Sequence, residues 1–394
     1  MEKYKEDSNM ILKSFKGTDT KLSLLGMGCM RLPTIGDPGA PVDFDKAVEI
    51  IDYAYNHGVN YFDTAYIYHS GDSEKFIGKA LSKYPRDTWY LATKMPGFAL
   101  KTAEDVERIF NDQLEKCGVE YFDFYLCHGM NELMYDTFTN PEIGVIPFLK
   151  KMKEEGKIKR LGFSSHAKPE TLEKFIAQAD WDFAQIQLNY FDWSYQDAKG
   201  QYEVLTKHGI PVVVMEPCRG GRLADLCEES NAILKEAAPD RSIASWAFRW
   251  LQSLDNVQVV LSGMSNMEQV MENVATFNEY DKLSETELAA LDKAVEAFLK
   301  KFTVPCTACR YCSECPRELD IPKILSAYND IKITDNDFMR GGTIRKLFKS
   351  ENTDPRECLS CGLCTRHCPQ NIDTPQIMDD FAKIIAAIPK EFRE

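Results

Sequence analysis

The chain has 394 residues, 44% of them apolar, enough for a full core and for two domains or one large domain with an appendage. Its 47 Lys and Arg stand against 61 Asp and Glu, a formal charge of −14 with no basic block, which argues against nucleic acid or an anionic membrane surface as partner. No apolar run approaches the roughly 20 residues of a membrane-spanning helix.

Residues 1–9 are mostly charged or polar and carry no apolar segment of the kind that directs secretion, so a cytoplasmic location is expected. Residues 1–18 read as a weakly packed lead-in. A strand at 22–28 follows, then a helix at 43–57 with Ala47, Ile50, Ile51 and Ala54 on one face, ended by Gly58. The same punctuation recurs at Gly118, Gly156 and Gly209, each suited to the left-handed position between a helix and the next strand. Eight strand candidates result, near 22–28, 59–65, 89–94, 121–128, 158–164, 183–189, 210–216 and 257–262. Helical patterns at 43–57, 73–84, 102–117, 143–155, 168–178, 195–208 and 242–252 separate most of them, and 266–277 and 284–300 follow the last. This alternation predicts a parallel (β/α)8 TIM barrel over residues 21–300, after a lead-in at 1–20. An open doubly wound sheet is the competitor. It would usually carry a phosphate loop after its first strand, and Gly26 to Arg31 is not a GxGxxG.

In a barrel, the carboxyl ends of the strands share one face, where chemistry is placed. Asp63, Lys94 and His128 each end an expected strand, and Tyr68 lies five residues beyond Asp63. A phenol with an ordinary pKa of about 10 is a weak acid near neutrality. A neighbouring ammonium, Lys94, would lower that pKa, with Asp63 holding Lys94 and His128 orienting a substrate oxygen. The bland alternatives are an ion pair between Asp63 and Lys94, a structural His128, and Tyr66 as a rival phenol.

Asp63-Thr-Ala with Tyr68, Lys94 after Ala-Thr, and His128 after a strand together resemble the aldo-keto reductase family. So do Gly156-Lys-Ile-Lys-Arg-Leu-Gly before Ser164-Ser165, and Glu272-Asn273 after the last strand. The resemblance covers about residues 20–300. It implies reduction of an aldehyde or ketone by hydride from NADP or NAD in reduced form, with Asp63, Tyr68, Lys94 and His128 as catalytic tetrad. It also implies that Ser165 and Gln187 hold the nicotinamide amide, that Glu216 and Arg219 belong to the loop around the pyrophosphate, and that Ser262, Gly263, Gln269, Glu272 and Asn273 meet the adenosine end. The chain departs from the family pattern at His166, at Met215 where a Tyr usually stacks, and at Gln269 and Gly263 where basic residues are usual. Loss of that Arg removes the usual grip on a 2′-phosphate and leaves NAD and NADP both open.

Thirteen cysteines in a large chain point to metal ligation more than to disulfides, because eight fall in two runs. Cys306, Cys309, Cys312 and Cys315-Pro316 form the first; Cys358, Cys361, Cys364 and Cys368-Pro369 form the second, with bacterial ferredoxin spacing. Three thiolates two residues apart wrap one cubane, and the fourth of each run reaches the other. One [4Fe–4S] cluster is thus expected on Cys306, Cys309, Cys312 and Cys368, and another on Cys358, Cys361, Cys364 and Cys315. Two zinc sites are the competing reading. Helical patterns at 322–330, 343–348 and 376–387 make residues 301–394 a small α-helical ferredoxin-like domain. Barrel and tail together resemble the iron–sulfur aldo-keto reductases of anaerobic and facultative bacteria. Three functions stay open: a carbonyl reductase of small molecules; an electron-transfer oxidoreductase served by a carrier protein, with a flavin or substrate at the barrel mouth; and a redox-sensing binding protein. Neither the substrate nor the oligomeric state is legible.

Overall fold

Alternating apolar residues make the strands here, and helices with apolar residues every third or fourth position cover them. In chain order the strands are β1 (Leu12–Ser14), β2 (Lys21–Ser23), β3 (Leu25–Gly28), β4 (Tyr61–Asp63), β5 (Tyr90–Pro96), β6 (Phe122–Met130), β7 (Ile158–Ser165), β8 (Phe183–Gln187), β9 (Val212–Met215) and β10 (Val257–Ser262). Strands β3 to β10 close into a parallel barrel in the order β10-β3-β4-β5-β6-β7-β8-β9. Helices such as Phe44–Asn56, Asp72–Leu81, Ala103–Cys117 and Val145–Glu154 connect them, so the expected (β/α)8 barrel is the observed fold. The computed structural model describes residues 9–35, 41–299, 304–332 and 337–393. Residues 1–8 of the expected lead-in and 300–303, where the expected domain boundary falls, lie outside the described residues.

The described chain forms two compact units. One runs to Cys218 and includes Ala244–Leu283; the other comprises Arg219–Ile243 and the residues from Ser284 on. In the second, helices Ile321–Lys332, Asp337–Leu347 and Thr374–Ala387 enclose a core of Ile324, Leu325, Ile344, Phe381 and Ile385, against which six cysteines pack. It also holds helix Glu228–Ala237, which the sequence patterns did not predict, where Ser230 Oγ donates to Ala294 O at 2.7 Å.

Strand parity sets the barrel interior. Tyr61, Ala92, Phe124, Leu126, Phe183, Val213, Val259 and Leu261 form one buried cluster. Asp63, Lys94 and His128 are the next residues of the same parity along β4, β5 and β6, so they point inward too. Cys127, of opposite parity, packs outside with the covering helices.

The expected first strand splits. Only Leu25–Gly28 enters the barrel, while Lys21–Ser23 pairs antiparallel with Leu12–Ser14. Phe15 and Leu22 from this hairpin join the interior cluster, and Ile11 N donates to Phe277 O at 2.9 Å. Met10, Ile11 and Phe15 are therefore buried, unlike the loose lead-in expected of a mostly polar stretch with isolated apolar residues.

Helix Asp72–Leu81 follows the Tyr68 loop and crosses helix Ala103–Cys117 at Gly78. A Cβ there would lie 2.2 Å from the Cys117 carbonyl oxygen. Backbone cannot retreat as a side-chain end can, so Gly78→Ala should cost about 1–3 kcal/mol. Urea unfolding checks this; an unchanged midpoint would contradict the close approach.

Candidate active site

Three inward side chains meet at the carboxyl end of the barrel. Lys94 is fully buried, and its ammonium donates to Asp63 Oδ1 at 2.6 Å, to Thr64 O at 2.7 Å and to Tyr68 Oη at 3.4 Å. All three ammonium protons have acceptors. The Tyr68 and His128 rings meet edge to face with centroids 6.0 Å apart. The structure thus brings Asp63, Tyr68, Lys94 and His128 together. Lys94 and His128 do not end their strands: β5 runs on to Pro96 and β6 to Met130, with Pro96 beside His128. Inward parity, not strand termination, aims them.

Tyr68 is fixed by its loop. His69, Ser70 and Gly71 all have positive φ (50°, 55° and 93°), a strained run for two residues with side chains. Leu32 N donates to His69 Nε2, and Ser73 Oγ donates to Cys29 O at 3.0 Å while pairing with Thr64 Oγ1 at 2.8 Å. The rival phenol, Tyr66, instead lies under Lys116 Nζ, 4.1 Å from its ring centre. Behind Lys94, buried Glu74 accepts from Thr93 Oγ1 and Gln113 Nε2, both at 2.6 Å, and Gln113 Nε2 also donates to Lys94 O.

Burial dominates the protonation of the site. It drives the Tyr68 phenol well above its usual range, reinforced by Asp63 and Glu216 and opposed by Arg31. The expected lowering by Lys94 does not prevail, so Tyr68 is a neutral, protonated acid. Burial likewise raises Asp63 against the pull of Lys94. It drops His128 well below the usual imidazole range, assisted by Lys94 and His166, and takes His166 to about 4.

The expected cofactor residues of the barrel unit are largely pre-set. Ser165 Oγ accepts from Ala167 N at 3.1 Å; Gln187 Nε2 donates to buried Asp192 Oδ2 at 2.7 Å. Ser262 Oγ accepts from Asn273 Nδ2 at 3.0 Å, and Gln269 Oε1 from Ser265 N at 2.7 Å. Glu272 keeps a buried Oε1 with no hydrogen-bond partner, an acceptor fit for a ribose hydroxyl. Sequence reasoning missed Arg31. Its Nη2 donates to Glu216 Oε1 at 3.2 Å, and its side chain lies 3.1 Å from where a Cβ on Gly263 would stand. The available signal was a cation three residues beyond the first barrel strand. Arg219 belongs to the second unit, where its guanidinium donates to Pro305 O and Gln370 Oε1.

In that unit the cysteines gather in two sets. Cys312 has Cys306, Cys309 and Cys368 as thiol neighbours. A cavity is lined by Cys315, Cys358, Cys361 and Cys364. Cys368 also has Cys364 as a neighbour, so the two sets adjoin. The two runs also turn alike. Ala308 N points at Cys306 Sγ and Ser360 N at Cys358 Sγ, each at 3.4 Å, and φ is positive at Ala308, Arg310, Ser360 and Gly362. Such amide-to-sulfur turns and all-thiolate sets fit iron–sulfur ligation. All thirteen cysteines are free of disulfides.

A model of the aldo/keto reductase family matches residues 24–296. The chain belongs to that family. A 4Fe-4S dicluster domain model matches residues 305–372 of this family member. L-galactose dehydrogenase of Arabidopsis thaliana is 27% identical over 75% of this chain and 97% of its own length. The NADH-specific methylglyoxal reductase of Escherichia coli is 24% identical over 71% and 97%. The holo structure of an aldo-keto reductase from Bacillus halodurans superposes with a TM-score of 0.60 at 27% identity, covering 72% of this chain and 96% of that one. The chain is therefore an oxidoreductase-family barrel with a 4Fe-4S domain, and among its described residues no helix is long and apolar enough to cross a membrane.

The neutral imidazoles have a thermodynamic consequence. A histidine titrates near 6.5 when unfolded. Below that pH the unfolded chain binds protons that native His128 and His166 refuse, so stability falls as pH drops from about 6.5 toward 4. Buried Asp63, Glu74 and Asp123 are raised and act in the opposite sense. A His128→Asn/His166→Asn variant should lose less stability than the parent between pH 7.5 and 5, measured by urea midpoints. An equal loss would contradict neutral burial.

Proposed function

We propose that this chain is an NAD(P)H-dependent reductase of small aldehydes or ketones, with Tyr68 as general acid, and that its second unit holds two [4Fe–4S] clusters. The observation that carries the reading is the Lys94 ammonium bonded at once to Asp63, Thr64 O and the Tyr68 phenol. A nicotinamide held by these residues would supply hydride to the carbonyl carbon. Tyr68 gives its proton to the carbonyl oxygen, so that C=O becomes CH–OH and a phenolate remains. Lys94, in contact with that oxygen, stabilises the phenolate as it forms. Asp63 keeps the ammonium in position, and neutral His128 orients the substrate through an N–H to its oxygen. Protonated Tyr68 suits this direction: the acid is loaded before substrate arrives.

Ser165 and Gln187 would hold the nicotinamide amide, Glu216 with Arg31 would flank the pyrophosphate, and Ser262, Gly263, Gln269, Glu272 and Asn273 would meet the adenosine. A Glu272 acceptor without the usual Arg favours a free 2′-hydroxyl, and hence NADH; the E. coli relative named as NADH-specific supports this. Cys306, Cys309, Cys312 and Cys368 would ligate one cluster, and Cys358, Cys361, Cys364 and Cys315 the other. Bound clusters supply one-electron redox capacity, for which a carrier protein is the fitting partner. The crossed cysteine sets are the observation that favours a second reading, electron transfer to a flavin or substrate at the barrel mouth.

Tyr68→Phe should lower kcat for aldehyde reduction by about 10²–10⁴-fold, with iron content unchanged. Steady-state NADH oxidation under anaerobic conditions checks it. Activity surviving the substitution would remove the assignment of Tyr68.

A further inference from the structure

Helix Asp72–Leu81 begins four residues after Tyr68, and its first turn carries two buried polar side chains, Ser73 and Glu74. Ser73 Oγ donates to Cys29 O and pairs with Thr64 Oγ1, and the Thr64 carbonyl is an acceptor of Lys94. Glu74 reaches β5 instead. Its Oε1 accepts from Thr93 Oγ1 and Gln113 Nε2, both at 2.6 Å. Gln113 Nε2 also lies 3.1 Å from Thr93 Oγ1 and from Lys94 O, while its Oε1 accepts from Tyr125 Oη. One helical turn thus ties the end of β4 to the stretch of β5 that carries Lys94.

Stability alone is a poor reason for a carboxyl group here. Glu74 is fully buried, and its Oε2 has no hydrogen-bond partner. Burial raises its pKa; Lys116, the cation that opposes this, is itself paired with Asp112 at 2.6 Å. Burying an acid with an idle oxygen is costly. The bonds of Oε1 do, however, fix a distance that matters. The contact of Lys94 Nζ with Tyr68 Oη, at 3.4 Å, is the longest of the three that the ammonium makes. Its two ends ride on different elements: Lys94 on β5, and Tyr68 on the loop that runs into the helix. The Glu74–Thr93 bond joins that helix directly to the residue before Lys94.

We propose that Glu74 is a positioning residue for proton transfer, holding the Tyr68 loop and the Lys94 strand together so that the phenol stays against the ammonium. The proposal rests on the reading of Tyr68 as the acid. Asp63, Glu216 and Cys29 oppose ionisation of the phenol and Arg31 favours it. None of these four is bonded to Glu74, which acts through Thr93 and Gln113.

The test reads the full chain in both directions, with para-nitrobenzaldehyde and NADH, and with para-nitrobenzyl alcohol and oxidised NAD. In oxidation the alcohol gives hydride to the nicotinamide and its proton to a Tyr68 phenolate. The half-maximal pH of that kcat therefore reports how strongly Lys94 favours the phenolate. Glu74→Ala should lower kcat of reduction by about 10–10²-fold with KM held. It should also raise the half-maximal pH of oxidation by about one unit, a tenfold weaker hold on the phenolate. Glu74→Gln removes any charge but keeps an acceptor oxygen, and should return both values toward the parent. Thr93→Val removes one donor and should move both values the same way by less, which keeps the test open if Glu74→Ala fails to fold. In a Tyr68→Phe background, Glu74→Ala should lower the residual rate no further. A half-maximal pH unmoved in the folded variants, Gln and Ala variants that behave alike, or a full additional loss in the Tyr68→Phe background would overturn the proposal. A parent that reduces no aldehyde, or a fully active Tyr68→Phe, would instead fail the reductase reading, and the positioning role with it.

Discussion

An ammonium shut away from water must have an acceptor for each of its protons, and the barrel is arranged around meeting that demand for Lys94. Asp63, the Thr64 carbonyl and the Tyr68 phenol supply the three acceptors from one short segment at the end of β4. Such a buried pair is weak as a device for stability. Exchanging both partners for apolar residues is often neutral or better, whereas deleting one costs about 3–5 kcal/mol. The surrounding investment is correspondingly specific: a left-handed run fixes the Tyr68 loop, and a Glu74–Thr93–Gln113 network holds the Lys94 backbone from behind. These features suit a group kept for chemistry.

Much of this was legible in the sequence because period and parity are robust. The eight barrel strands and most helices follow from apolar spacing and from glycines such as Gly58 and Gly118, which do take positive φ. The meeting of Asp63, Tyr68, Lys94 and His128 survives an error in strand ends: β5 and β6 run two residues past Lys94 and His128, yet inward parity is unaffected. The β1–β2 hairpin was hidden because three-residue strands carry no measurable period, and Phe15 and Leu22 gain meaning only from the barrel end they close.

The directions of long side chains were not legible. Arg31 and Arg219 each follow a barrel strand closely, and position alone cannot say where a guanidinium will reach. One pairs with Glu216; the other turns toward the cysteine segments. Protonation was also misjudged from pairwise reasoning. A cation beside a phenol suggests a lowered pKa, but burial is the larger influence on Tyr68 and reverses the sign. The cysteine runs, in contrast, were readable to the level of which thiols gather, since their spacing constrains the turns directly.

The barrel site suits movement of an electron pair with a proton; the cysteine unit suits single electrons. The origin of the hydrogen that arrives on carbon separates these chemistries. With NADH deuterated at C4 on the transferred face and an aldehyde in ordinary water, mass spectrometry of the alcohol gives a direct answer. A hydride site built on Lys94 and Tyr68 predicts one deuterium on the carbinol carbon. An alcohol whose new carbon-bound hydrogen comes wholly from water would contradict it.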